Sequence, residues 1–216
     1  MTEERGALPA PKQARAVATR AKIVQAAVDC LAEHGVAGTS TTAIARRAGV
    51  SQGALFKHFP AKPLLLGVAI ERVFAQMRER FVVEALAAGA STPTMSAELE
   101  VLWDIYREDR LQAVLELYMS SRTDAALREV LQPVVAHHFE AIMEIAGVLF
   151  PGARGTPRFQ EAVTSLMLTL QGAAVMMGLA PDGHDTRLPL EFLGQFAVAV
   201  LGAPDLEALA AWHGGQ

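Results

Sequence analysis

Apolar residues recur at helical spacing along most of the chain, and no stretch alternates apolar and polar positions as a strand would. Ile23, Ala26, Ala27, Cys30 and Leu31 form one stripe, predicting a helix from about Thr19 to His34 that Gly35 stops. Two shorter helices follow, Thr41 to Ala48 and Ala54 to Phe59, the second ended by Pro60. Ser40 and Ser51 stand where N-caps are needed, and Gly49 stands where a left-handed residue ends the first. Ile44, Ala45, Val50, Leu55 and Phe59 supply apolar faces that match the Ile23 stripe. The expected product is a three-helix head whose last two helices have the spacing of a helix-turn-helix.

From Pro63 to about Leu86 the stripe of Leu65, Val68, Ile70, Phe74, Met77 and Phe81 predicts one long helix. At 1.5 Å per residue it is a rod of about 36 Å, enough to join the head to a second unit. Gly89 to Pro93 reads as a loop. Helices are then predicted over Met95 to about Arg107, Asp109 to Ser121 and Asp124 to Leu149, with a kink or break near Leu131 because Pro133 removes a backbone donor. Beyond a Gly/Pro loop at 151–157, two more helices are expected at about 158–179 and 189–202. Residues 162–181 and 192–204 carry no charge. A helix apolar nearly all round is either buried or membrane-spanning. Thr164, Ser165, Thr169, Gln171, Gly172 and Gly178 dilute the first, and no Lys/Arg cluster flanks it, so no membrane is expected. These two helices are expected instead to pack in the subunit and against a second copy, and a charge at Leu170 or Phe196 to separate the copies.

The reading is all-α in three parts: a flexible basic arm over 1–17, a helix-turn-helix head over 18–64 and a helical body over 65–216. Charge distribution sharpens it. The 216-residue chain has a net charge of −4, which taken whole argues against a nucleic-acid partner. Residues 1–62, however, hold nine Lys and Arg against four acids, a net of +5, while the remainder is net −9 and has no lysine. A basic head on an acidic body is the asymmetry of a chain that meets phosphates at one end. The single cysteine, Cys30, excludes an intrachain disulfide and reads as core packing. No apolar leader opens the sequence, and a cytoplasmic location is expected.

Ile44-Ala45, Ala48-Gly49-Val50-Ser51, Gly53, Leu55-Phe56, His58-Phe59 and Lys62 together resemble the head of the tetracycline-repressor (TetR) family of bacterial transcription regulators. The resemblance is specific over about Thr19 to Leu66. It implies a homodimer that offers one recognition helix per subunit to adjacent major grooves, and a body that binds a small molecule and so changes the distance between heads. Carried over, the recognition helix is Gln52 to His58, with Gln52, Gly53 and Ala54 near base edges and Ser51 at its start. Gln can bond adenine bidentately and Ala can meet a thymine methyl. Lys57 is placed for phosphate or guanine, Thr41 and Thr42 for phosphate at the start of the supporting helix, and Lys62 resembles the family lysine that contacts the backbone. Arg46 and Arg47 add charge, and His58 either braces the head or touches DNA. Phe56 stands where the family usually has tyrosine, which removes a hydroxyl bond to phosphate, and Pro63 replaces an acidic residue.

In the body, Trp103, Tyr106, Tyr118, Phe139, Met143, Met167 and Met176 are candidates to line a small-molecule pocket, each with core packing as the alternative. His138 and Gln171 could bond a ligand, and Gln171 could equally span a dimer interface. Of His137, His138, Glu140 and Glu144, only His137, Glu140 and Glu144 approach one face without further ligands, so no metal is expected, and no cofactor. No nucleophile-base pair or phosphate loop points to catalysis. The function expected is a DNA-binding transcription regulator, a repressor released from its operator by a small, largely apolar ligand. A helical enzyme or carrier, and an architectural DNA-binding protein without an effector, are the alternatives.

Overall fold

A computed structural model describes residues 11–89, 95–177 and 188–216. They form helices α1 (Pro11–Gly38), α2 (Thr41–Ala48), α3 (Gln52–His58), α4 (Lys62–Gly89), α5 (Met95–Tyr106), α6 (Asp109–Ser121), α7 (Ala125–Leu149), α8 (Pro157–Met177), α9 (Leu188–Leu201) and α10 (Leu206–Gly214), with no strand among the described residues. The expected loop at 89–93 lies almost wholly outside them, as does most of the arm.

The head is built as its sequence dictates. Ser40 Oγ accepts from the Ala43 amide at 3.1 Å, capping α2. Gly49 closes α2 at φ 68°, where any residue with a Cβ would be strained. Ser51 Oγ accepts from the Ala54 amide, also at 3.1 Å, and starts α3. Ile23, Ala27, Ile44 and Leu55 are completely buried between the three helices, with Cys30 beside them. Burial of each large side chain removes it from water at about 1.5–3 kcal/mol, which is what holds helices as short as α2 and α3 in place. Arg20 lies over the Phe59 ring at 4.8 Å, fastening α1 to the end of α3.

Two boundaries differ from expectation. Helix α1 begins at Pro11, so the last part of the expected arm and the residues up to Thr19 are helical. Proline suits a first turn because its missing N–H has no helical partner there, and apolar periodicity was the wrong signal for an exposed segment. Helix α7 runs through Pro133 as one element, so of the kink or break expected near Leu131 the break does not occur. Only one donor is lost, and Leu127, Leu131 and His138 on either side are pinned in the core. Gly35 does interrupt helical geometry, at φ 63° and ψ −174°.

Helix α4 is the spine. It packs on α1 at its head end and on α5, α7 and α10 along the body, while α5 meets α8 and α9. Gly67 lets α4 and α7 approach: a Cβ there would run into Val130 Cγ1. Helix α6 also touches α1, where Glu116 accepts from the Val36 amide at 2.9 Å, a second tie between body and head. Helix α10 has no counterpart in the sequence reading. Asp205 caps it through the Ala208 amide, Leu209 is fully buried, and it seals α4 and α7 from the far side. None of the described helices alone is long and apolar enough to cross a membrane.

Candidate functional site

Helix α3 leaves its first turn open. Ser51, Gln52 and Gly53 are exposed and Ala54 half-buried, while Leu55 turns inward as the anchor. Lys57 and Arg46 are exposed, Lys62 and His58 half-buried, and on α2 Thr42 is exposed and Thr41 half-buried. The Gln52 amide donates to the Thr42 hydroxyl, so the two expected contacts are coupled across the turn. Phe56 is 43% exposed, a large ring that the head does not bury. Arg47 is committed elsewhere: its guanidinium pairs with Glu33 and lies 3.7 Å from Asp29. It holds the Glu33 carboxyl below the ordinary carboxylate range, and tethers α2 to α1. Both arginines are exposed, and of the two only Arg46 has no ion pair among the described residues.

The body encloses a cavity between α4, α5, α7, α8 and α9. Its volume is about 90 Å³, several times the roughly 10–15 Å³ that one water needs. Its walls include Met77 and Phe81 of α4, Leu99 and Tyr106 of α5, Ile142 and Phe150 around α7, and Val163, Met167 and Leu170 of α8. Tyr106 is 2% exposed, and burial raises its hydroxyl to about 12, with a hydrogen bond from Gln171 pulling the other way. The phenol is thus neutral.

Of the ligand residues expected from sequence, Tyr106 and Met167 line this cavity, and Gln171 lies near the Tyr106 hydroxyl. The others do not. Tyr118 and Phe139 belong to an open groove between α6 and α7. Trp103 is core packing at 5% exposure, Met143 packs half-buried against the core, and Met176 is 61% exposed on the outside of α8. Position on an apolar stripe could not tell the two sides of a helix that is apolar all round. His138 stacks flat on Phe74 of α4, ring centroids 3.7 Å apart, and its Nδ1 accepts from Arg78 at 2.9 Å. Burial, then the Arg78 and His137 charges, lower it to about 3, so it is a neutral bracket between α4 and α7. Among the described residues no three His, Cys, Asp or Glu converge as metal ligands do.

Glu98 is the wall residue that the sequence reading passed over. Its signal was legible: it stands three residues from Met95 and four from Leu102, on the apolar face of α5. It is 2% exposed, and neither carboxyl oxygen has a hydrogen-bond partner among the described residues. Burial pushes its carboxyl above the ordinary range, against a weaker opposing influence of its own amide.

A capped helix with an exposed first turn on a basic three-helix head, carried by a spine that also walls a body cavity, is the arrangement of a helix-turn-helix transcription regulator. The family profile of bacterial regulatory proteins of the tetR family matches residues 23–67. An HTH-type transcriptional regulator of Mycobacterium tuberculosis, Rv2912c, is 32% identical over 183 residues, which is 83% of this chain and 93% of the relative. The chain belongs to the TetR family. Its fold is shared by a TetR-family regulator from Rhodococcus sp. (TM-score 0.63, 19% identity, 85% of this chain and 98% of that one). It is shared also by the multidrug binding protein EbrR, solved in complex with imidazole (TM-score 0.58, 24% identity, 90% and 96%). The chain is a DNA-binding transcription regulator and not an enzyme.

Proposed function

We propose that the protein is a homodimeric repressor acting in the cytoplasm, released from its operator when a small, largely apolar molecule fills the body cavity. The observation that carries this reading is that α4 begins at Lys62 beside the DNA-reading helix and contributes Met77 and Phe81 to the cavity wall. A ligand that fits better with α4 displaced biases the head away from its DNA-bound position, and DNA bound at the head disfavours the ligand by the same factor. The fold neighbour EbrR, complexed with imidazole, lends the small-molecule part of the reading general support.

In the pairing proposed, α8 and α9 meet the same helices of a second copy. Leu168, Val175, Phe192, Phe196 and Val198 are exposed large apolar side chains on these two helices, a face whose burial by symmetry would make an isologous interface. Leu170, expected from sequence to meet the second copy, is 1% exposed and lies in the cavity wall instead. Arg46, Ser51, Gln52, Gly53, Ala54, Phe56, Lys57, His58 and Lys62, with Thr41 and Thr42, form the proposed DNA surface, with Gln52 and Ala54 toward bases.

The test is a bandshift on DNA upstream of the protein's own gene, repeated with Val163→Phe, which fills the cavity. Wild-type complexes are expected to dissociate with an apolar small molecule found by thermal-shift screening. The Val163→Phe complex is expected to form equally well and to resist release. Release of both alike would place the effector outside the cavity.

A further inference from the structure

We propose that Phe56 and Gly53 form a seat for the C5-methyl group of one thymine in each half-site, so that α3 reads a thymine as well as the base met by Gln52. This deepens the DNA-reading role proposed above for α3 and rests on it. Leu55 points into the head and is completely buried, so the opposite side of α3 is its outer face. That face carries Gln52, Gly53, Phe56 and Lys57, and all four are exposed. Phe56 stands four residues from Gln52 and three from Gly53, so its ring neighbours both on the helix surface. The head has two phenylalanines, Phe56 and Phe59. Phe59 is buried with Arg20 over its ring, and Phe56 is left outside. A lone apolar ring on a surface carries no message by itself. This one stands between a glutamine and a lysine on a head of net positive charge.

Gly53 is the second observation. It sits in ordinary helical backbone and not at positive φ, where glycine weakens a helix relative to alanine. Packing within the head does not call for it: the atom nearest to the place of a Cβ is Ser51 Oγ, 4.0 Å away. The missing side chain therefore clears space on the outside of α3, beside the Phe56 ring. Of the groups that base edges present in the major groove, the thymine methyl is the apolar one. A bare backbone next to an aromatic ring accepts that methyl without stranding a polar group. Phe56 itself has neither donor nor acceptor for a phosphate, so what it adds to binding is apolar contact.

The experiment uses the full-length protein and the duplex it selects from a random pool. Each thymine of one half-site is replaced in turn by deoxyuridine, which lacks only the methyl. Wild type is expected to lose affinity about fourfold at one such position, the effect of burying one methyl group. Phe56→Ala is expected to keep the helical fold by circular dichroism and to bind thymine and deoxyuridine alike at that position. Its slope of log affinity against log salt is expected to match wild type, since no charge is removed. Gly53→Ala is expected to melt at or above the wild-type temperature and to lose the thymine preference, because the added methyl fills the seat. A response to the methyl that is the same in wild type and Phe56→Ala would overturn the proposal and leave α3 as the reading helix. So would binding that stays sequence-specific with no thymine responding. If Gln52→Ala and Phe56→Ala both select the wild-type sequence with wild-type affinity, the role of α3 itself fails, and the thymine seat with it.

Discussion

Gln52, which is exposed, and Lys62, which is half-buried, both belong to the proposed DNA surface but are expected to fail differently when truncated. Lys62 carries a charge to the start of α4 and no base-reading geometry. Lys62→Ala is expected to weaken every sequence alike and to reduce the slope of log affinity against log salt by about 1. Gln52→Ala is expected to change which base is preferred at one position of each half-site, read by binding to a set of point-mutated duplexes. Loss of affinity with no change in preference would remove Gln52 from the base edges. His138 supplies the residue-scale pH signature. It is ordinary when unfolded and lowered to about 3 when folded, so below about pH 6.5 the unfolded chain binds the proton the folded chain refuses. Its stabilising contribution is complete above the unfolded value and is lost as pH falls. Between pH 6.5 and 5, wild type is expected to lose roughly 1–2 kcal/mol more than His138→Phe in urea unfolding. Equal losses would mean His138 is protonated in place.

Elements were legible wherever a local signal set them. Ser40, Gly49 and Ser51 specify the ends of α2 and α3 by capping chemistry that needs no tertiary context. Helix α10 carried the same kind of signal in Asp205 and was missed because the chain before it reads as one apolar run. What packing decides was not legible. The passage of α7 through Pro133 depends on the α4 surface beneath it, and no periodicity reports that surface. Gly67 is the element-scale test of this contact. Gly67→Ala is expected to cost about 1–3 kcal/mol, since the β-branched Val130 has little room to yield. Adding Val130→Ala is expected to restore most of it, a coupling readable in a double-mutant cycle. Additive losses would show that α4 and α7 are not held together at this point. The cavity followed the same rule: Tyr106 and Met167 were found by type, Met176 failed because it faces outward, and Glu98 stood in plain view on an apolar stripe.

At the scale of the molecule, the basic head and acidic body are one electrostatic object, net +5 over residues 1–62 and net −9 beyond. The body repels DNA while the head attracts it, which orients the approach. The proposed pairing through α8 and α9 makes its own prediction. Phe192→Asp, at a side chain 68% exposed in the single chain, is expected to keep the helical fold by circular dichroism and to halve the mass by light scattering. An unchanged mass would move the interface off α9. The most direct measurement of the whole account is selection of bound duplexes from a random pool by the full-length protein at physiological salt. The expected result is one enriched inverted repeat, its half-sites presented to successive major grooves about one helical turn or a multiple apart, with the preferred base altered in each half by Gln52→Ala. Enrichment of a sequence without twofold symmetry, or of none at all, would contradict a paired head that reads bases through α3.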